Sequence, residues 1–186
     1  MEKDSKKYNI EIEYKFLVDK LPLEFDKKVS IIQYYFDKSL KKDLIIELFN
    51  LNNQEFDELS TARIRVIEEE GQKKYIVTVK SKGALSRKEY EKEVSFDLYQ
   101  TFISDGVFSV IIKNRYYCYK EYCYEFDEYL NLKEKMYTCE VELPESDMDD
   151  SVVIRIQELL KEDFDIIAID VTKDYRYKNS NLHKYF

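Results

Sequence analysis

A chain of 186 residues with 38 acidic and 30 basic side chains carries a net charge of −8, which argues against nonspecific binding to nucleic acid. With 44% hydrophobic residues, three glycines and two prolines it excludes disordered and collagen-like chains, and its length suits one continuous core, so a single domain over 1–186 is expected. Three cysteines without paired spacing and one histidine, His183, rule out a multi-histidine zinc centre, so any metal must rest mainly on carboxylates and be a hard cation such as Mg²⁺, Mn²⁺ or Ca²⁺.

Alternation over 8–17 predicts a first strand, and "VSIIQYYFD" at 29–37 predicts a second after a turn at Pro22. The apolar period then lengthens. Leu44, Ile45, Leu48 and Phe49 recur at helical spacing, so 38–49 is expected to be helical, followed by a polar connection through Asn52 and Asn53. Three antiparallel strands follow at 61–69, 73–81 and 87–96, with turns at Gly71 and Gly83. A short helix after Asp97 ends before Gly106, and three more strands are expected at 107–119, 120–130 and 135–143. Asp149 or Asp150 is the expected N-cap of a closing amphipathic helix carrying Val152, Val153, Ile156, Leu159 and Leu160 on one face. No apolar run is long enough to span a bilayer, and no signal-like segment follows the charged start, so a cytoplasmic protein with no membrane partner is expected.

The first strand contains "EIEYKF", which puts Glu11, Glu13 and Lys15 on one face and Ile12, Tyr14 and Phe16 on the other. The later strands repeat this spacing with Arg63 and Arg65, Thr78 and Lys80, Glu89, Glu91 and Glu93, Lys113 and Arg115, Glu125 and Asp127, and Glu140 and Glu142. A solvated face laced with ion pairs of about 0.2–1 kcal/mol each accounts for any single row. Sorting of the charges into acidic and basic strands suits instead a cavity holding a metal and a polyanion. About eight strands tend to close or to split into layers, so a barrel with its charges inside and an open two-layer sheet both fit.

In chain order, "EIEYKF", "QYYFD", "ARIRV", "VTVKSKGALSRKEYE", "KNRY", "EFDEY", "CEVEL" and "DVTKDYRYKN" resemble the motifs of the CYTH superfamily, the triphosphate tunnel metalloenzymes. The likeness is strongest to the short bacterial members that hydrolyse inorganic tripolyphosphate. It implies a mainly β fold, a closed eight-stranded antiparallel barrel with a few peripheral helices, and an interior tunnel for a small-molecule triphosphate with Mg²⁺ or Mn²⁺. By motif position Glu11, Glu13, Glu140 and Glu142 correspond to metal ligands, and Arg63, Arg65, Lys80, Arg87, Lys113 and Arg115 to phosphate contacts. Lys15 and Tyr35 match a lysine and a tyrosine acting on the attacking water, while Glu91 and Asp127 would orient basic side chains. Adenylate cyclase, thiamine triphosphatase and a non-catalytic polyphosphate or nucleotide sensor are the alternatives within this frame. The stretch at about 38–60 is longer than in compact members of the family, as a surface excursion, a cap on one tunnel mouth or a homodimer contact. Asp170 replaces the glutamate of the usual C-terminal signature and is given no role.

Overall fold

The computed structural model describes residues 8–83, 85–144 and 151–186. Every alternating charged row falls on a strand, because period-2 alternation leaves one apolar face to bury. β1 (Asn9–Val18) and β2 (Lys27–Phe36) precede a meander of β3 (Leu59–Glu69), β4 (Gln72–Ser81) and β5 (Ser86–Val94). A second meander comprises β6 (Val107–Tyr119), β7 (Cys123–Tyr129) and β8 (Tyr137–Glu142). The sheet runs β5-β4-β3-β2-β6-β7-β8-β1 with all neighbours antiparallel. β1 then meets β5, from Asn9 opposite Glu89 to Ile12 opposite Ser86, and the barrel closes. Of the two architectures open to the sequence, this is the closed eight-stranded one.

An additional strand absent from the sequence reading, β9 (Ala168–Asp170), pairs with Phe16–Val18 on the edge of β1 that β5 leaves uncovered. Beyond it, a 3-10 turn at Tyr175–Tyr177 and the short helix α5 (Leu182–Tyr185) bring Leu182 against Tyr35, Ile111, Tyr129 and Met136 at one end of the barrel. The β3–β4 hairpin turns through Glu70 (φ 49°) and Gly71 (φ 80°), the paired left-handed residues that a tight two-residue hairpin requires.

With charge inside, the apolar faces point outward and must be covered. Ile12, Phe16, Phe126 and Val141 pack beneath α4 (Val152–Phe164) through Val152, Ile156 and Leu160. On the opposite side Ile64, Val77, Val79 and Tyr90 lie under α1 (Lys42–Phe49), α2 (Asn53–Glu58) and α3 (Phe96–Ile103), which contribute Ile45, Phe49, Phe56 and Phe102. Each such side chain contributes about 1.5–3 kcal/mol on burial. The segment from Lys38 to Glu58 therefore covers part of the outer wall of the barrel. Among the described residues no helix is long and apolar enough to cross a membrane.

Several boundaries differ from expectation for local reasons. The connection after α1 is the helix α2, started by a capping box in which the Asn52 side chain accepts from the Glu55 N–H and the Glu55 carboxylate accepts from the Asn52 N–H. α3 is capped by Ser95, whose hydroxyl accepts from the Leu98 N–H, and Asp97 lies in its first turn rather than before it. β7 starts at Cys123 because Lys120–Tyr122 form a turn closed by a bond from the Lys120 N–H to the Tyr122 carbonyl. The expected caps Asp149 and Asp150 lie outside the described residues, and α4 begins at Val152.

Asn52→Ala removes the acceptor of the Glu55 N–H while the bond from the backbone N–H of residue 52 to the Glu55 carboxylate remains, so loss of this one cap should cost about 1 kcal/mol in urea unfolding with an unchanged m-value. An unchanged midpoint would mean that tertiary packing of Phe56 alone holds this helix.

Candidate active site

The inward rows of the barrel enclose a cavity of about 410 Å³. Glu11, Glu13, Lys15, Tyr35, Glu140 and Glu142 line it, as do Arg63, Arg65, Lys80, Arg87, Glu91 and Arg115. Lys113 and Asp127 are not among its lining residues; they face inward but are sealed in the wall, with Lys113 Nζ 2.5 Å from Asp127 Oδ2 and Asp127 wholly buried. Glu89, not singled out from the sequence although it shares the row of Glu91, also lines the cavity and lies 3.4 Å from Lys80 and 3.8 Å from Arg63.

Three carboxylates converge. One oxygen from each of Glu11, Glu13 and Glu142 lies within 4.8 Å of the others. β1 presents the first two at i and i+2, and the β1–β8 register sets Glu142 directly opposite Glu13. Glu140, on the same face of β8 but two residues deeper, lies outside this group. It pairs instead with Lys15 Nζ at 2.9 Å and with Arg115. The electrostatics divide in the same way. Burial raises the Glu140 carboxyl, but Lys15, Arg115 and Lys113 outweigh burial and hold it well below the carboxylate range. Burial likewise raises Glu11, but Lys80 at 2.5 Å and Arg87 at 2.6 Å overcome it and bring it to about 2. Glu13 is pushed up to about 7 by burial and by the neighbouring charges of Glu140 and Glu11. Glu142, more open to solvent, is also raised to about 7 by partial desolvation and by Glu125, Glu11 and Glu13. Two of the three converging groups therefore hold their protons to a higher pH than an ordinary carboxyl, through burial and neighbouring like charge.

Anion-binding chemistry lies beside them. Arg63 and Arg65 sit two apart on β3, and the Nε–H of each is buried without an acceptor among the described residues. A guanidinium has five N–H donors in a fixed fork, and on each of these two arginines the protein leaves one of them unmet. The Arg63 Nη1–H donates to Gln33 Oε1 at 3.2 Å, and Arg65 Nη2 lies 2.5 Å from Glu91. Arg115 spans Glu125, Asp127 and Glu140, which fixes its plane. Glu91 and Asp127 thus each hold a basic side chain of the interior.

Lys15 is buried at the end of the barrel nearer the C-terminal segment, with 7% of its surface exposed. Its ammonium has three donors and three protein acceptors: Glu140 Oε1 at 2.9 Å, Asn179 Oδ1 at 2.8 Å and Tyr129 Oη at 3.1 Å. Burial works against its charge, but Glu140, Tyr129 and Glu13 more than offset this and lift it above the ordinary lysine value. The Tyr35 hydroxyl accepts from Gln33 Nε2 at 2.7 Å, and burial raises its pKa with partial relief from Arg63. Sequence reasoning missed Tyr129, Thr138 and Asn179. Tyr129 and Asn179 end the quoted stretches "EFDEY" and "DVTKDYRYKN", so order in the chain carried the signal without its meaning.

Among solved structures, the inorganic triphosphatase NE1496 superposes with a TM-score of 0.52 at 21% identity, covering 95% of each chain. A protein from Hippeastrum, HpAC1, described as an adenylyl cyclase with a dominant triphosphatase activity, gives a TM-score of 0.57 at 18% identity over 82% of this chain and 87% of that one. PH1819 from Pyrococcus horikoshii gives 0.56 at 19% identity over 82% and 89%. No curated protein matches. At these identities the likeness shows a common fold. The CYTH domain, by contrast, is matched in sequence over residues 9–176, and the chain therefore belongs to the CYTH-domain family.

Proposed function

We propose that this protein is a divalent-metal-dependent triphosphatase that hydrolyses inorganic tripolyphosphate to pyrophosphate and phosphate inside the barrel. The observation that carries the reading is the juxtaposition, in one cavity, of three converging carboxylates with a basic row that includes Arg63 and Arg65, whose buried Nε–H groups lack acceptors among the described residues. Neither set is suited to the other's ligand. A hard cation fits the first and a polyanion the second, and a metal-bound triphosphate fits both. NE1496, an inorganic triphosphatase, shares the fold, which supports the choice of substrate.

Glu11, Glu13 and Glu142 would hold Mg²⁺ or Mn²⁺, whose bound form supplies charge neutralisation and an acidified water. The protein's own task is electrostatic placement. Arg63, Arg65, Lys80, Arg87 and Arg115 grip phosphate oxygens along the tunnel, with Lys113 fixing Asp127 beneath Arg115. Lys15, with all three donors engaged by the protein, contributes fixed positive charge at the end of the barrel nearer the C-terminal segment, acting on the terminal phosphate through its field rather than as a free donor. Tyr35 contributes its hydroxyl beside Arg63 through Gln33.

A second reading rests on Tyr117, Ile67 and Ile76, which line the same cavity. They offer an apolar wall on which the base of a nucleoside triphosphate could stack for about 1–3 kcal/mol. Without such stacking a nucleoside replaces one anionic end by an ester and loses contacts.

Products released from tripolyphosphate, ATP and thiamine triphosphate with Mg²⁺, Mn²⁺ or EDTA test the proposal. Tripolyphosphate should have a kcat/KM at least about tenfold above ATP, a difference of roughly 1.4 kcal/mol, and EDTA should stop turnover. Glu13→Gln should abolish activity with the fold intact, and Arg65→Ala should raise KM more than it lowers kcat. Equal specificity constants would favour the nucleotide reading, and cyclic AMP as the main product from ATP would make the protein a cyclase.

A pH prediction follows from the raised carboxyls. Folded Glu13 and Glu142, near 7 against an unfolded value near 4.5, bind more protons folded than unfolded in that window, so metal-free stability falls as pH rises through it. Metal needs both deprotonated, so its affinity rises with pH through the same window. Mg²⁺ should therefore raise the unfolding midpoint more at pH 8 than at pH 6. An equal shift at both values would remove these two glutamates from the metal site.

A further inference from the structure

We infer that Tyr129 and Asn179 are positioning residues that clamp the Lys15 ammonium, making the C-terminal segment part of the reaction site. The inference rests on the triphosphatase reading for its functional meaning, while the clamp itself rests on geometry.

Asn179 Oδ1 accepts from Lys15 Nζ at 2.8 Å and from the Tyr129 hydroxyl at 2.7 Å. Because Tyr129 spends its single proton there, its oxygen accepts from Lys15 at 3.1 Å, and the Thr138 hydroxyl, also at 3.1 Å, donates to it. The chain of donors Thr138, Tyr129, Asn179 thus has one sense, and Lys15 donates to its last two members. A flipped Asn179 would point N–H groups at an ammonium, so the amide orientation is fixed as well.

The same C-terminal segment grips the lysine's main chain. The Lys15 N–H donates to Thr172 Oγ1 at 3.0 Å, and the Lys15 carbonyl accepts from the Val171 N–H at 2.9 Å. Lys15 is therefore held at amide, carbonyl and ammonium by residues 171–179. Leu182, wholly buried against Tyr35, Ile111, Tyr129 and Met136, anchors the far side of that segment. Tyr35, the tyrosine that motif position assigns to Lys15, is turned to Gln33, and the tyrosine in hydrogen-bond contact with the ammonium is Tyr129.

Two of the ammonium's three acceptors are neutral, and the third, Glu140, is shared with Arg115. Tyr129 and Asn179 set the direction of the charge without cancelling it. Loss of either leaves Glu140 as the dominant partner of the ammonium, so that its carboxylate cancels more of the charge that Lys15 presents to the cavity. A loss of this kind costs on the order of 10–100-fold in turnover and leaves ground-state binding little changed.

A double-mutant cycle on the full chain tests this, with tripolyphosphate and Mg²⁺ and with folding checked by circular dichroism. Asn179→Ala and Tyr129→Phe should each lower kcat by roughly 10–100-fold with KM within about twofold, and neither should add to the defect of Lys15→Ala. Tyr35→Phe should multiply with Lys15→Ala. Multiplicative losses for Asn179 or Tyr129, or an effect on KM alone, would overturn the clamp. The same cycle read in the thermal unfolding midpoint needs no turnover. A wild type inactive on every triphosphate ends the hydrolase reading, while coupled midpoint shifts for Lys15 and Asn179 still support the clamp and additive shifts refute it.

Discussion

The structure depends on one constraint: charged side chains enclosed by a sheet must be neutralised there, since an isolated buried ion costs several kcal/mol. The barrel meets it pair by pair, with Lys80 on Glu11, Lys113 on Asp127, and Arg115 spanning Glu125, Asp127 and Glu140. Replacing such pairs with well-packed apolar residues is often neutral or stabilising by about 1–4 kcal/mol, so a charged interior is a poor way to build a core. Its natural explanation is a guest that must be charged as well. Everything outside the wall follows: with polar groups inside, the apolar faces look outward, and four helices are needed to cover them.

The pairs also define what a guest must do. Glu11 is held by two cations and Glu140 by Lys15 and Arg115, whereas Glu13 and Glu142 face mainly other carboxylates. A cation entering alone meets a site partly filled by lysine and arginine, and an anion alone meets arginines already facing glutamates. Only a ligand of both signs relieves both sets together. This reciprocity arises from the register Glu13 opposite Glu142, which brings like charges face to face across β1 and β8.

Much of this was legible because strand period and side-chain sign are local properties. The rows Glu11-Glu13-Lys15, Arg63-Arg65 and Glu140-Glu142 all face inward, and the Glu70-Gly71 hairpin is written in its residues. Depth along the barrel axis is not local. Glu140 and Glu142 share a face and a spacing, yet one meets lysine and the other the carboxylate group, because strand stagger decides which neighbour each finds. Lys113 and Asp127 have the same period as the lining residues but are sealed from the cavity for the same reason. Asn179 was beyond reach, since its contact with Lys15 spans 164 positions of sequence and depends on β9, a strand of three residues with no alternation to read. The helix α2 was hidden by its own cap, since asparagines before an acidic run read as a loop unless the reciprocal Glu55 is weighed.

The divided edge of β1 has a consequence for how the chain reaches this state. β1 is made first, but its partners are β5, β8 and β9, which begin at Ser86, Tyr137 and Ala168. The two meanders can assemble from near neighbours, whereas the seam needs contacts of high sequence separation, whose loop-closure entropy is spent before they return anything. During synthesis the first strand therefore waits unpaired until β5 is made, and for its β8 and β9 partners until later still. Its alternation of glutamate and lysine with apolar residues keeps charge on an otherwise sticky edge in that interval, the device by which exposed strands avoid pairing with other chains. The residues that line the finished cavity are thus also those that guard the open barrel on its way there.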